Sequence, residues 1–176
     1  MKKQLLVAAM MFSLATAAFA ADIAPVLPPA PPPPAPAPVF SWDRSYVGVG
    51  IGGAWFDFPS QEFHVTAYFG HNFAVGSRAV VGAEVYATWW TPAATPWRIG
   101  AEARVGVLIN PRLLAYGAVG VAHYGAGNNY LTLGPGIEFA VSDSLSLDIA
   151  YDFERGLNTT ATGHRVTASL NWHFGR

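Results

Sequence analysis

The residues of this chain that could take part in acid–base or ion-pair chemistry share one face of its predicted strands. Carboxylate and guanidinium side chains alternate there with apolar residues, so they point to the same side of a pleated sheet. The charged positions on this face are Glu84, Arg98, Glu102, Arg104, Glu138, Asp148, Asp152 and Arg165. Charges that are enclosed together must be paired and hydrogen-bonded, so the pattern predicts a polar network of salt bridges.

The histidines show no spacing that is typical of a metal site. No pair has the H-x-x-x-H spacing of a helical metal motif. The chain also contains no G-x-S-x-G motif and no glycine-rich phosphate loop. We therefore predict neither a metal nor a cofactor. The histidines are His64, His71, His123, His164 and His173.

The last predicted strand shows most clearly how these charges are positioned. Val166, Ala168, Leu170, Trp172 and Phe174 fall on one face, and polar residues occupy the positions between them. Because successive side chains of a strand point to opposite faces, this strand has one apolar and one polar surface.

Seven further strand candidates lie upstream, and most of them have the same two-sided pattern. Each predicted strand has about 11 residues, which is the length that a tilted strand needs to cross a bilayer. Turn-forming residues such as Gly76–Ser77 and Asn110–Pro111 separate the strands. Such regular spacing predicts an all-β, antiparallel up-and-down meander. The predicted strands span residues 45–55, 62–73, 78–89, 97–108, 113–124, 130–141, 144–154 and 164–174.

The direction of the two faces distinguishes a soluble barrel from a membrane barrel. The apolar face points inward in a soluble barrel and outward in a membrane barrel, and alternation alone does not choose between them. A secretory signal, a C-terminal aromatic residue and aromatic residues near the strand ends favour the membrane. We therefore predict an eight-stranded transmembrane β-barrel over residues 45–174, with the charged face inside. The end aromatics are Trp55, Trp89, Trp90 and Trp97 at one rim, and Tyr46, Phe73, Trp172 and Phe174 at the other.

Three local features are less clear from the pattern. The facing of strand 113–124 stays open, because both of its faces are apolar or small. Pro135 cannot donate a ladder hydrogen bond, so we expect a bulge there. Gly48, Gly50 and Gly52 share the inward face, and our hypothesis is that they make room for long Arg and Glu side chains.

An enzymatic barrel would need a specific arrangement of residues. Lipid A deacylases use His, Ser and an acidic residue at adjacent outward-facing strand positions. His123 lacks a serine two residues further on, and no histidine partner can be placed beside Ser169 or Glu138. The sequence therefore predicts no enzyme.

The N-terminal region precedes the barrel and has two parts. Residues 1–20 have a positive start, an apolar run and an Ala18–Phe19–Ala20 cleavage site, as in a secretory signal peptide. Residues 21–41 form a proline-rich linker. Because proline fixes φ and lacks an N–H, this linker is expected to be an extended polyproline II spacer.

The composition excludes several classes of function. The chain has no cysteine, so it forms no disulfide. Its two lysines, Lys2 and Lys3, lie in the signal peptide, and eight arginines face eleven acidic residues in the remainder. This acidic balance argues against a nucleic-acid partner. The α-amine of Ala21 is then the one primary amine of the mature chain.

Four segments carry a family resemblance. They are Phe40–Trp55, Ala115–Gly125, Gly134–Phe153 and the terminal strand His164–Phe174. With the Ala–Asp start and the proline-rich arm, they resemble the small alphaproteobacterial outer-membrane β-barrel proteins of the OmpA/OmpX-like porin-family group. The short loops and the residues that follow Phe174 depart from that group.

The resemblance implies an integral outer-membrane structural protein in the bacterial cell outer membrane. Its expected partners are outer-membrane lipid and lipopolysaccharide, the barrel assembly machinery and peptidoglycan. Some relatives with an Ala–Asp start are tethered to peptidoglycan through the N-terminal amine. That implies Ala21 as the attachment residue and Asp22 as its recognition neighbour.

The expected function is therefore a role in envelope integrity. Two alternatives stay open at this point: a narrow porin for small solutes and a lipid-modifying outer-membrane enzyme. The outward connections are short, with none longer than about nine residues, which makes binding by surface loops less expected.

Overall fold

The computed structural model describes residues 40–56, 61–91 and 97–175. The expectations for the signal peptide, for residues 21–39 of the linker and for Ala21 and Asp22 lie outside these ranges. Among the described residues, no helix is long and apolar enough to cross a membrane.

Eight antiparallel strands follow one another in sequence order and close into a barrel, because β1 also pairs with β8. This confirms the predicted fold class, and no predicted strand boundary is wrong by more than two residues. The strands are β1 (Arg44–Phe56), β2 (Gln61–Val75), β3 (Ala79–Thr91), β4 (Trp97–Asn110), β5 (Leu113–Tyr124), β6 (Asn129–Ala140), β7 (Leu145–Gly156) and β8 (Thr162–Phe174).

The two ends of the barrel differ in their connections. We call the end that carries Arg44, Phe174 and the turns 76–78, 111–112 and 141–144 the base, and the opposite end the top. Bacterial outer-membrane barrels place their short turns on the periplasmic side, so the base is the periplasmic end.

The surface of the barrel is inverted relative to that of a soluble protein. Large apolar side chains point outward, such as Ile51 and Phe63, which are 67% and 72% exposed. Arg98, Arg104 and Glu138 point inward and are buried. This is the arrangement that a hydrocarbon environment requires, because lipid solvates apolar side chains and the polar groups must be satisfied inside.

The structure resolves the facing of β5. Leu114, Ala118 and Ala122 are buried in the lumen, whereas Val119 and Val121 are exposed on the outer surface. The small size of Ala118 and Ala122 explains why the sequence pattern was ambiguous on this strand.

The expectation of a bulge at Pro135 is wrong. Pro135 pairs with Gly117 of β5, and the register with β7 is the same before and after it. The β6–β7 ladder omits pairing at Gly134 and Pro135 and then resumes, so the missing N–H is accommodated without an extra residue. The register shift among the described strand pairs lies instead between β4 and β5, at Leu108 to Asn110.

Two of the aromatic residues predicted at the rims point into the lumen. Tyr46 is fully buried, and Trp90 is nearly so. Trp55, Trp89, Trp97, Phe73 and Trp172 are exposed on the outer surface, as predicted. Tyr46 and Trp90 occupy inward positions because they follow the parity of the buried polar residues on their own strands.

An apolar plug closes the base of the barrel. Phe40 and Trp42, which precede β1, are 3% and 4% exposed and pack against Val80, Leu114 and Ala140. The indole Nε1 of Trp42 donates a hydrogen bond to the Pro111 carbonyl oxygen at 3.1 Å. Phe40 and Trp42 therefore cover the mouth of the lumen at the base, immediately before the first strand begins.

Tyrosine rings cover glycines on neighbouring strands in a repeated pattern. The pairs Tyr46–Gly70, Tyr86–Gly100 and Tyr116–Gly136 lie opposite each other in the ladder. A Cβ atom at any of these glycines would come within 2.3 Å of the tyrosine ring. The absence of a side chain therefore lets each ring lie flat along the lumen wall.

The hypothesis about Gly48, Gly50 and Gly52 named the wrong neighbours. A Cβ at Gly48 would meet the Asn171 side chain, and a Cβ at Gly50 would meet those of Ser169 and Thr167. At Gly52 it would meet His64 and the Val166 carbonyl. These glycines therefore make room for uncharged polar residues and a histidine, not for Arg or Glu.

We predict that Gly100→Ala lowers the free energy of unfolding by about 1–3 kcal/mol, the usual effect of overpacking. The new methyl group would displace the Tyr86 ring. The matched control is Gly117→Ala, because Gly117 is exposed and has no neighbouring atom within 4 Å of the added Cβ. Urea unfolding in detergent micelles measures both, and equal stabilities of the two variants would contradict the role of the tyrosine–glycine pairs.

Candidate functional site

The candidate site is the polar lumen, which contains two arginine-centred clusters. The cluster near the top is built on Arg98 and Arg165. Arg98 forms an ion pair with Glu154 and donates hydrogen bonds to the hydroxyls of Tyr86 at 2.9 Å and Tyr124 at 3.0 Å. All of these side chains come from strands β3, β4, β5, β7 and β8, so the cluster spans the lumen.

Arg165 shares its partners with Arg98. Its Nη2 atom donates to Asp152 Oδ2 at 2.5 Å, and its Nε atom lies 3.4 Å from Glu154 Oε1. The guanidinium carbons of Arg98 and Arg165 lie 4.9 and 5.3 Å from the centre of the Tyr86 ring. Two cations are therefore held close together by two carboxylates and one aromatic face.

The second cluster lies near the base and is built on Arg104. Its Nη2 atom is 3.1 Å from Glu138 Oε2, and its Nε atom donates to Asn72 Oδ1 at 3.0 Å. The guanidinium lies between the rings of Tyr46 and Tyr116, 4.7 and 5.1 Å from their centres. Arg104 is thus enclosed by one carboxylate, one amide and two aromatic faces.

Several side chains of the base cluster contact the carboxylate of Glu138. The Ser146 hydroxyl donates to its Oε1 atom at 2.5 Å, and the Asn171 amide does so at 3.3 Å. His173 Nε2 lies 3.0 Å from the same oxygen. A fully buried carboxylate needs such hydrogen bonds and a paired cation to be stable.

The middle of the lumen holds carboxyl groups without an arginine partner. Glu84 and Glu102 lie directly opposite each other on β3 and β4. Tyr46 donates its hydroxyl to Glu84 at 2.5 Å, and Tyr116 donates to Asp148 at 2.8 Å. Among the described residues, none of these three carboxyl groups forms an ion pair with an arginine within 4.0 Å.

The lumen therefore contains more acids than bases. Among the side chains that the structure describes, its three guanidinium groups, Arg98, Arg104 and Arg165, face six carboxyl groups. The carboxyl groups are Glu84, Glu102, Glu138, Asp148, Asp152 and Glu154. A cavity of about 20 Å³ between the central residues has room for about one water molecule.

All eight charged residues selected from the sequence point into this lumen. The structure distributes them between the top cluster, the base cluster and the central acids. The sequence analysis missed Glu154, which pairs with both upper arginines. It shares the parity of Asp148 and Asp152 on the same strand, so the alternation itself contained the signal.

Uncharged lumen residues were also missed. Tyr46, Tyr86, Tyr116 and Tyr124 supply the hydroxyls and ring faces that surround the arginines. Their inward parity could be read from the sequence, but their contacts depend on the register between strands.

The structure contains a histidine partner for Glu138, which corrects the sequence analysis. Ser146 Oγ and Glu138 Oε1 both lie within 3.0 Å of His173 Nε2. A catalytic triad needs the serine and the acid on opposite ring nitrogens. Here both occupy the same nitrogen, and all three residues are buried beneath the plug. This contact is therefore structural.

A second serine–histidine contact lies on the outer wall near the base. Ser45 Oγ is 2.8 Å from His71 Nδ1, and Asp43 Oδ1 is 3.9 Å from His71 Nε2. The acid lies on the correct nitrogen but beyond hydrogen-bond distance, so it does not fix the imidazole. In the described part of the chain, no group of three or more His, Cys, Asp or Glu side chains could hold a metal ion.

Comparisons with known proteins support the fold. No protein-family profile matches the sequence, and neither does any curated protein. The outer-membrane enzyme PagL has a similar structure, with a TM-score of 0.50 and 8% identity over 73% of this chain and 99% of that one. At this identity the likeness shows the fold alone.

Two further outer-membrane barrels have somewhat lower scores. Ail of Yersinia pestis has a TM-score of 0.49 and 12% identity, over 74% of this chain and 97% of its own. Neisserial surface protein A has a TM-score of 0.48 and 14% identity, over 74% and 97%. The closed eight-stranded fold, the apolar outer wall and the polar lumen make this chain a β-barrel of the bacterial outer membrane.

We predict opposite effects for two neutralising substitutions in the lumen. Arg104→Met leaves Glu138 buried without its cation and should lower the free energy of unfolding by about 3–5 kcal/mol. Glu102→Gln relieves the repulsion from Glu84 and should leave stability unchanged or raise it. Unfolding by urea in the same micelles measures both variants. If Glu102→Gln lost as much stability as Arg104→Met, this would contradict the conclusion that the lumen has more acids than its arginines can pair.

Proposed function

We propose that the protein is an integral outer-membrane structural barrel that contributes to envelope integrity and is tethered to peptidoglycan through its N-terminal arm. The observation that carries the structural role is the closed lumen. Paired charges fill it near the top and near the base, and the apolar plug covers its periplasmic mouth. A barrel of eight strands is just wide enough for its own side chains to fill it.

A narrow porin is the second candidate, and the lumen network supports it less well. An ion path would have to pass Arg98, then the central acids, then Arg104 and finally Phe40 and Trp42. Arg98 pairs with Glu154 of β7, Arg104 pairs with Glu138 of β6, and the plug packs against β3, β5 and β6. Opening a path would separate buried ion pairs, and each unpaired charge would cost several kcal/mol.

The connections at the top offer little surface for recognition. They comprise residues 57–60, 92–96, 125–128 and 157–161, which are four or five residues each. Binding sites on β-barrels are often built on longer loops.

The proposal includes no enzymatic reaction, because neither serine–histidine contact has an acid within hydrogen-bond distance on the second ring nitrogen.

The partners in this proposal follow from the outer surface and from the terminal strand. Exposed residues such as Val49, Ile99 and Leu147 are the surface that outer-membrane lipid and lipopolysaccharide would cover. The barrel assembly machinery would receive the terminal strand, whose Trp172 and Phe174 lie in ring contact at the base.

We predict that the purified protein forms no stable channels in a planar lipid bilayer, because the lumen is closed by paired charges. A known porin added to the same chamber serves as the positive control. Stable single-channel steps from the wild-type barrel would contradict the proposal. Loss of those steps in a variant that fills the lumen wall at Gly48 or Gly50 would assign them to this lumen.

The tether rests on the chemistry of the N-terminus and on the family resemblance. Both lysines lie within the predicted signal peptide, so the α-amine of Ala21 is the primary amine left for an amide bond. The arm joins the barrel at Phe40, on the periplasmic base. The alphaproteobacterial group that the sequence resembles supports Ala21 as the attachment residue and Asp22 as its recognition neighbour.

We predict that muramidase digestion of purified sacculi releases the protein with a muropeptide joined to Ala21, detectable by mass spectrometry of the N-terminal peptide. Asp22→Ala should reduce the linked fraction, because it removes the neighbouring carboxylate. Asp43→Ala is the matched control, since Asp43 is an exposed acid at the barrel base. Recovery of free protein only, while known tethered proteins remain bound, would reject the tether and leave the closed barrel intact.

A further inference from the structure

A pocket of about 470 Å³ opens at the base beside the plug, and we call it the basal pocket. Phe40 and Trp42 form one wall, the β2–β3 turn contributes Arg78, and the end of β4 contributes Leu108 to Asn110. Its volume lies within the range of small-molecule sites. None of the ion pairs described in the lumen involves a residue that lines this pocket.

The wall of the basal pocket is shaped by the β4–β5 register shift. The shift leaves Ile109 without a partner in the β4–β5 ladder. Leu108 packs against the plug and Ile109 points to the outer face, and both line this pocket at the rim. The Leu108 N–H donates to the Arg78 carbonyl oxygen at 2.8 Å, which holds the turn against β4. Bulges that leave one residue unpaired are common at barrel rims.

The polar side chains that line the basal pocket are Ser77, Arg78 and Asn110, and each of them can donate a hydrogen bond. Arg78 is exposed, and its guanidinium has no hydrogen bond or ion pair with any described residue. Asn110 uses its Oδ1 atom to accept the Arg112 N–H at 2.8 Å, which leaves its amide N–H groups free. No carboxylate lines the pocket. Donors without a competing acid favour an anionic ligand.

The other arginines of the base are already engaged. Arg44 donates to the Asp143 carbonyl oxygen at 2.8 Å. Arg112 donates to the Ala140 carbonyl oxygen at 3.4 Å and lies 3.8 Å from the Asp143 carboxylate. Arg78 is therefore the cation of this rim, among the described residues, that is available to a ligand.

We propose that the basal pocket binds an anionic phospholipid of the inner leaflet, with its phosphate on Arg78 and Asn110. The pocket is continuous with the lipid-facing wall, because Ile109 is 63% exposed and shares the outer face with Val107. The base lies at the periplasmic headgroup level, where phosphates are plentiful. The aromatic and aliphatic walls accept the glycerol and first acyl carbons, while guanidinium matches phosphate geometry.

The test measures lipid retention by native mass spectrometry after release from nanodiscs of phosphatidylcholine mixed with phosphatidylglycerol. The wild-type barrel should retain phosphatidylglycerol in preference to phosphatidylcholine. Arg78→Gln should reduce that retention about tenfold, as expected when one charge-assisted contact to phosphate is lost. Heat-modifiable gel mobility verifies that each variant is folded.

Arg112→Gln is the matched control, because it removes a charge from the neighbouring turn and leaves the pocket lining intact. Retention in this variant should equal that of the wild type. Equal retention in Arg78→Gln and wild type would overturn the proposal, as would an equal loss in Arg112→Gln. Displacement of phosphatidylglycerol by a soluble peptidoglycan stem peptide would also overturn it, and would assign the pocket to the cell wall. None of these outcomes depends on the covalent tether at Ala21.

Discussion

The barrel depends on keeping three guanidinium groups paired inside a lumen that its own side chains fill. An eight-stranded wall leaves no room for bulk water around Arg98, Arg104 and Arg165, so protein atoms must replace their hydration. Carboxylates supply the charge, and tyrosine rings and hydroxyls supply the remaining contacts. The glycines opposite those rings follow from this need, because a methyl group there would push a tyrosine away from its arginine.

The pairing is uneven along the barrel axis, and this explains how the lumen stays closed. The guanidinium groups lie toward the two ends, where the Arg98–Glu154 pair joins β4 to β7 and the Arg104–Glu138 pair joins β4 to β6. The described acids without an arginine partner lie between them, and two of these, Glu84 and Asp148, accept hydrogen bonds from tyrosine hydroxyls. A solute would therefore have to break a buried ion pair before it reached the middle. This geometry supports a structural barrel more directly than it supports a conducting one.

Strand alternation was enough to predict the fold, because a lipid-facing wall tolerates almost no charge and so marks one face clearly. The same parity places Glu154, Tyr46 and Trp90 inside the lumen, so the sequence pattern itself contains the signal for these three residues. The pairing of Arg104 with Glu138 could not be predicted, since it depends on register and on contacts across the barrel. The plug could not be predicted from the sequence either, because Phe40 and Trp42 follow a proline-rich segment with no periodic pattern.

The plug determines how a force applied to the proposed tether would be distributed over the barrel. Because Phe40 and Trp42 precede β1 in the chain, a load applied at Ala21 would act on the plug before it acted on that strand. Phe40 and Trp42 pack against residues of β3, β5 and β6, and Trp42 is hydrogen-bonded to the β4–β5 turn. The load would therefore be shared by several strands before it reached β1. Without this packing, the same load would act directly on the β1–β8 seam, whose hydrogen bonds are the ones that close the cylinder.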